Sequence, residues 1–130
     1  MSAALLLDTH TFLWWALSDP RLPPAMRTRI QETERVWVSA ASAWEIRTKY
    51  RLGKMPEVHS LLVTELADVL AVNDFDDLAV TFADGELAGA LPGEHKDPFD
   101  RMLAAQALNH RLALVSNDAS LDAFGIVRIW

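Results

Sequence analysis

Four carboxylates, Asp8, Glu45, Asp100 and Asp118, are the residues of this 130-residue chain whose type and placement suggest chemistry. Each stands at the end of an apolar, strand-like stretch or in the first turns of a helix that follows one. Carboxylates brought together repel one another unless a cation sits among them, and oxygen-only clusters suit Mg²⁺ or Mn²⁺. Such an ion can orient a water, lower its pKa and offset charge developing on a phosphodiester. That chemistry needs all four acids in one place, so the elements between them decide the matter.

The apolar run from Ala3 to Leu7 reads as a strand buried on both faces, stopping at Asp8. Residues 11–17 form a short helix, Pro24 opens a helix over 25–34, and the alternating stretch 35–39 is a second strand. A helix over 40–52 carries Glu45 and stops at Gly53, which favours a left-handed cap. The pattern then predicts a helix over 57–67, a strand over 69–72, a helix over 76–84 and a loop over 88–96. Asp97 is the expected N-cap of a strongly apolar helix, with Pro98 at its first position, Asp100 in its first turn and His110 near its end. A strand over 112–116, a helical turn over 120–124 and a last strand over 126–129 complete the chain. Alternating strands and helices imply an α/β sandwich with a central, mostly parallel sheet. In such a sheet all strand ends lie on one edge, where ligands bind, so the four acids can converge.

Each acid also has a purely structural reading. Asp8 can cap the helix after it, and Glu45 lies three residues after Ser42, the spacing of a capping box. Asp97 and Asp100 repeat that spacing, and Asp118 in Ser-Asn-Asp-Ala suits a turn. His10 reads as a first-turn helical histidine with a structural hydrogen bond, or as a residue touching substrate or metal. Trp14, Trp15, Trp37 and Trp44 read as core or interface residues, with base stacking as the alternative. Arg47, Lys49, Arg51 and Lys54 form a basic path leading away from Glu45, suited to a phosphate backbone or simply to solvent.

Composition narrows the classes. With no cysteine, disulfides, thiolate metal sites and cysteine nucleophiles are excluded, and a reducing, cytoplasmic setting fits. The first residues lack a basic segment and are interrupted by Asp8 and His10, unlike a signal peptide, and no stretch approaches the ~20 apolar residues that span a bilayer. One domain over residues 1–130 with no membrane association is expected. The net charge of −6 opposes a polyanionic ligand, yet nine acids fall between Met55 and His95, where there is no lysine or arginine. Outside that stretch nine acids face all twelve basic residues, which permits such a ligand on one side. An aspartyl-phosphate phosphatase would want an acid where His10 stands and a lysine at a later strand end. A receiver domain fails similarly, and dinucleotide binding lacks a glycine-rich turn after the first strand.

The segments Leu-Leu-Leu-Asp-Thr-His-Thr-Phe-Leu-Trp-Trp, Val-Ser-Ala-Ala-Ser-Ala-Trp-Glu-Ile, Leu-Pro-Gly-Glu-His-Lys-Asp-Pro-Phe-Asp-Arg-Met-Leu-Ala-Ala-Gln-Ala and Leu-Val-Ser-Asn-Asp resemble, in order, the motifs of PIN-domain proteins. More narrowly they are similar to the VapC toxins of type II toxin–antitoxin modules. The likeness covers nearly the whole chain, and the Asp-Pro-Phe-Asp-Arg block is its most specific part. It implies a PIN-like α/β/α sandwich and a Mg²⁺-dependent (or Mn²⁺-dependent) endoribonuclease with the acidic quartet Asp8, Glu45, Asp100 and Asp118. Asp8 and Asp100 would be the main metal ligands, and Asp118 would ligate directly or through water. Glu45 would hold a second metal or position the attacking water. Asp97 would be the N-cap or an outer-shell carboxylate, and Ser116 or Asn117 would bond a ligand carboxylate or a phosphate oxygen. The resemblance further implies an RNA substrate, a cognate VapB-like antitoxin and a homodimer. A PIN-fold module that binds RNA or protein without cutting is the alternative.

Overall fold

A computed structural model of the chain describes residues 4–130. The sequence-predicted first strand is β1 (Leu5–Leu7), and Ala3 lies outside the described residues. The order continues α1 (Thr9–Ala16), α2 (Pro24–Glu32), β2 (Val36–Ser39), α3 (Ala40–Arg51), a 3₁₀ turn at Pro56–Val58, α4 (Leu66–Val72) and β3 (Asp76–Leu78). Then come α5 (Phe82–Ala90), α6 (Pro98–His110), β4 (Ala113–Val115), a 3₁₀ segment at Ala119–Phe124 and β5 (Arg128–Ile129).

The five strands run parallel in the order β3-β2-β1-β4-β5. Leu5, Leu6 and Leu7 pair with Val36, Trp37 and Val38 on one side and with Ala113, Leu114 and Val115 on the other. The chain builds outward from β1 to β3, then crosses to β4, so the order reverses between β1 and β4. Ligands of open α/β sheets bind at the carboxyl ends of the strands at such a reversal. Asp8 ends β1, and Ser116 follows β4, at that point.

Alternating side chains of β1 feed two cores, which is why all three leucines are buried. Leu5 and Leu7 pack with Phe12, Ile30, Val38, Ile46 and Val115 beneath α1, α2 and α3. Leu6 packs with Leu103, Ala104, Leu114 and Leu121 beneath α6. Ala104 and Ala105 let α6 lie close to the sheet, which carries Asp100 toward the strand ends. Burying one such leucine contributes about 1.5–3 kcal/mol. Among the described residues, no helix is long and apolar enough to cross a membrane.

The middle of the chain departs from its sequence pattern. The helix expected over 57–67 is a 3₁₀ turn and further turns, and the strand expected over 69–72 belongs to α4. Leu66, Val69 and Leu70 meet the core at helical spacing, while Val72 is left 85% exposed, so period 3.6 overrides the β-branched composition. The helix expected over 76–84 begins instead as β3, an edge strand in which only Leu78 is buried. Asp76 pairs there with Arg35 at 3.0 Å, so this strand carries little apolar signal to read. The loop expected over 88–96 is shortened because α5 runs to Ala90 behind a Thr81–Asp84 capping box.

Candidate active site

Asp8 both caps α1 and faces the strand ends. Its Oδ1 accepts the Thr11 amide at 2.8 Å, so the capping role is realised. Burial nevertheless pushes its carboxyl above the ordinary range, although bonds from Ser116 and Thr11 and the charge of His10 oppose the rise. A cap on a surface helix would feel no such burial.

Glu45 is released from the capping role that its spacing suggested. The N-cap of α3 is Ser39, whose hydroxyl oxygen accepts the Ala41 amide at 3.0 Å. Ser42 is instead buried and meets Thr9 Oγ1 at 2.9 Å. Glu45 is 3% exposed, with Thr9 Oγ1 2.6 Å from its Oε1 and Lys49 Nζ 2.5 Å from its Oε2. Thr9 has a single hydroxyl proton and a carboxylate only accepts, so that proton belongs to Glu45. For Lys49, burial is the largest influence and works downward. The Glu45 bond and charge, with Asp97 and Asp100, outweigh it and hold the ammonium above its usual value.

Asp97 is the N-cap of α6, accepting the Phe99 and Asp100 amides at 2.9 and 3.1 Å. Asp100, one turn into the helix, is free of that duty. Burial raises its carboxyl, a bond from His95 Nε2 at 2.9 Å works downward, and the charges of Asp97 and Glu45 raise it further. Asp118 caps the 3₁₀ segment, taking Ser120 N at 3.0 Å and Ser120 Oγ at 2.6 Å on Oδ1. Those bonds, the Ser120 side chain's first, lower its carboxyl.

The four acids are joined through shared neighbours. Ser116 bonds the Asp8 carboxylate and accepts the Asp118 amide at 3.1 Å. His95 bonds Asp100 and its charge also reaches Asp118, while Glu45 acts on Asp100 and holds Thr9, the residue after Asp8. His10 is exposed, its ring 5.9 Å from Trp14, and Asn117 and Arg47 are exposed as well. Among the described residues, no three His, Cys, Asp or Glu side chains stand close enough together to hold a metal as they are. Protein donors occupy the carboxylates instead: Lys49 on Glu45, His95 on Asp100 and Ser120 on Asp118. The donor set is nonetheless all oxygen, and two of its members are held above their ordinary range with like charges contributing to one of them. That chemistry fits a hard divalent cation.

Burial alone does not make such a site. Asp84 is wholly buried on α5, and burial is again the largest influence on it. Bonds from Asn109 at 2.9 Å and from Thr81, with His110 3.4 Å away, turn it below its ordinary value, as suits a structural acid.

Thr9 and His95 escaped the sequence reading, and Ser42 and Lys49 were read there in other roles, as a cap and as part of a basic path. Thr9 and Ser42 are small polar residues in apolar context, with no signal beyond adjacency. Lys49 stands four residues after Glu45, the helical spacing for an ion pair. His95 sits in a loop pinned by Arg101, whose guanidinium reaches the carbonyls of Ala88 and His95, both at 2.8 Å, and of Leu91. Trp44, placed among the core or interface tryptophans, is 63% exposed, whereas Trp14 is buried.

Parallel α/β proteins that gather carboxylates at the carboxyl edge of the sheet form a recognisable class. Within it this chain belongs to the PIN-domain family, in its VapC branch: the PIN domain model matches residues 5–127. The chain is 30% identical over 120 residues to Ribonuclease VapC22 of Mycobacterium tuberculosis, covering 90% of this chain and 88% of that protein. The fold is also similar to that of VapBC2 from Rickettsia felis bound to a promoter DNA fragment, with TM-score 0.71, 13% identity and 97% of each chain covered. FitAcB from Neisseria gonorrhoeae gives TM-score 0.65 at 20% identity, covering 97% of this chain and 96% of that one. A toxin–antitoxin complex from Klebsiella pneumoniae gives TM-score 0.65 at 19% identity with the same coverage.

Proposed function

We propose that this protein is the toxin of a VapBC-like type II module, an endoribonuclease that cleaves RNA phosphodiester bonds and is neutralised by a cognate VapB-like antitoxin. The relative named as a ribonuclease supports the activity, and the fold's likeness to toxin–antitoxin complexes supports the partner. The observation that carries the reading is the join between two of the acids: Thr9, the residue after Asp8 at the end of β1, bonds Glu45 of α3 at 2.6 Å, where the strand order reverses. The chain acts as one PIN domain over residues 1–130, as a homodimer, in the cytoplasm.

Asp8, Asp100 and Asp118 are the residues to hold Mg²⁺ or Mn²⁺, with Glu45 holding a second ion or positioning the attacking water. Bound there, the ion lowers the pKa of a water and offsets charge on the scissile phosphate. The chain's own groups prepare the rest. Ser116 orients the Asp8 carboxylate, Thr9 and Lys49 fix both oxygens of Glu45, and His95 fixes one oxygen of Asp100. Asp97 holds the first turn of α6, and Asn117, His10 and Arg47 are the exposed polar residues available to substrate. Cleavage of RNA with Mg²⁺, with EDTA and by Asp8→Ala tests the reading. Cleavage is expected in the first case only, and activity surviving both perturbations ends it.

A further inference from the structure

Beside the acids, two aromatic side chains meet across the junction of α3 and α6. Trp44 precedes Glu45 and Phe99 precedes Asp100, so each ring adjoins a proposed catalytic carboxylate in sequence. The rings stand 4.8 Å apart at 73°, edge to face, and Lys49 Nζ lies 5.9 Å from the Phe99 centroid. Phe99 is partly covered, whereas Trp44 is 63% exposed although its neighbour Glu45 is 3% exposed. One residue step rotates the helix surface by about 100°, which turns Glu45 inward and Trp44 out. Arg47 and Arg51 follow at i+3 and i+7 and are exposed too, giving α3 an outer stripe of one indole and two guanidiniums.

We infer that Trp44, braced edge-on by Phe99, is a stacking platform for one nucleobase of the RNA, with Arg47 and Arg51 taking the adjoining phosphates. The inference rests on the ribonuclease reading and extends it to the manner in which substrate is held. Aromatic platforms flanked by cations bind single strands because every base has a π-face and every linkage a negative charge. The contact with Phe99 restrains the indole before a base arrives, which lessens the side-chain freedom lost on stacking. A second copy of the chain or a protein helix covering the same ring would need an interface of about 800 Å² per partner. Beyond the small Ala40, the exposed neighbours of Trp44 on this stripe are Arg47 and Arg51, which suit phosphates better than an apolar interface core.

The test is fluorescence anisotropy of the full chain in EDTA with a labelled single-stranded 12-nucleotide RNA of mixed sequence, and with an abasic ribose-phosphate strand of equal length. Trp44→Ala is expected to weaken RNA binding about tenfold and Trp44→Phe to retain most of it. Abasic binding should be the same for wild type and Trp44→Ala, while Arg47→Gln should weaken both ligands alike. RNA binding unchanged in Trp44→Ala overturns the platform, whatever that substitution does to self-association, and so does equal loss for both ligands. Because Trp44 is largely exposed, the Ala variant should melt close to wild type, and Trp44→Phe controls for any repacking. Cleavage in Mg²⁺ separates the two readings. A wild type that binds RNA through Trp44 but leaves it whole sinks the nuclease alone; one that cuts while Trp44→Ala binds as tightly sinks the platform alone.

Discussion

Lys49 Nζ stands 2.5 Å from Glu45 Oε2, one helical turn apart on α3, and is the cation seated directly on a proposed catalytic carboxylate. Glu45 is almost fully buried and Lys49 about a quarter exposed, so the pair is screened far less than a surface ion pair. Lys49→Met leaves Glu45 with Thr9 alone and should cost about 2 kcal/mol, less than a fully buried pair because the ammonium reaches solvent. The double variant Glu45→Gln, Lys49→Met should recover most of that loss, since neither charge is then stranded. Urea unfolding of the three proteins checks this; a double variant no more stable than Lys49→Met contradicts it.

Asp8 should cost stability in the metal-free protein. Its carboxyl is raised on folding from a reference value of 3.8, so the folded chain holds the proton more readily than the unfolded one. The penalty is therefore fully present above the folded pKa and vanishes as pH falls below the unfolded one. Asp8→Asn keeps an oxygen for the Thr11 amide, and asparagine caps as well as aspartate. In EDTA at pH 7 it should be about 0.5–2 kcal/mol more stable than wild type, with the gain disappearing near pH 3 and cleavage abolished. Adding Mg²⁺ should stabilise the wild type and not the variant. Equal stability at both pH values, or equal response to Mg²⁺, counts against Asp8 as a strained ligand.

His95 should set where Asp100 ionises. Burial raises that carboxyl and the His95 bond opposes the rise, so His95→Ala takes away a brake and the carboxyl moves higher. If cleavage needs ionised Asp100, the acid limb of kcat/KM shifts to higher pH in the variant. A pH–rate profile with an unmoved acid limb and only a uniform drop would leave His95 a structural role alone.

The acids and the strands that deliver them were legible in the sequence because burial writes itself as apolar runs. Ala3 to Leu7 and Leu112 to Ser116 are such runs, and Asp8 and Asp118 stand just beyond them. The Asp97-Pro98 start of α6 was legible through capping chemistry. What escaped had no such mark. β3 lies at the sheet edge with Asp76 half-buried and Asp77 exposed, so its pattern is polar, and α4 is a short apolar run that only its packing resolves. Ser42 imitated a cap through its spacing to Glu45 alone; the strand end expected at residue 39 already pointed to Ser39, which ends β2 and takes that role. For Trp44 the sequence left core, interface and base stacking open, and its exposure, set by the helix phase against Glu45, removes only the core reading.

Gln106 should prove the hinge between the two halves of the site. It is wholly buried on α6, accepting Ser39 Oγ at 2.5 Å and donating to the Ala79 carbonyl at 3.2 Å. Ser39 is also the cap of α3, so one amide ties the helix bearing Asp100 to the start of the helix bearing Glu45. Gln106→Leu conserves volume but strands both partners, at a cost of about 1–3 kcal/mol. The same change should slow cleavage, because helices that shift by fractions of an ångström misplace both carboxylates. Arg21→Ala, which removes an exposed pair with Asp19, is the matched control and should change stability by less than about 1 kcal/mol with cleavage intact. Denaturation and single-turnover cleavage of both variants read the comparison, and a Gln106→Leu protein indistinguishable from the control would detach Gln106 from the site.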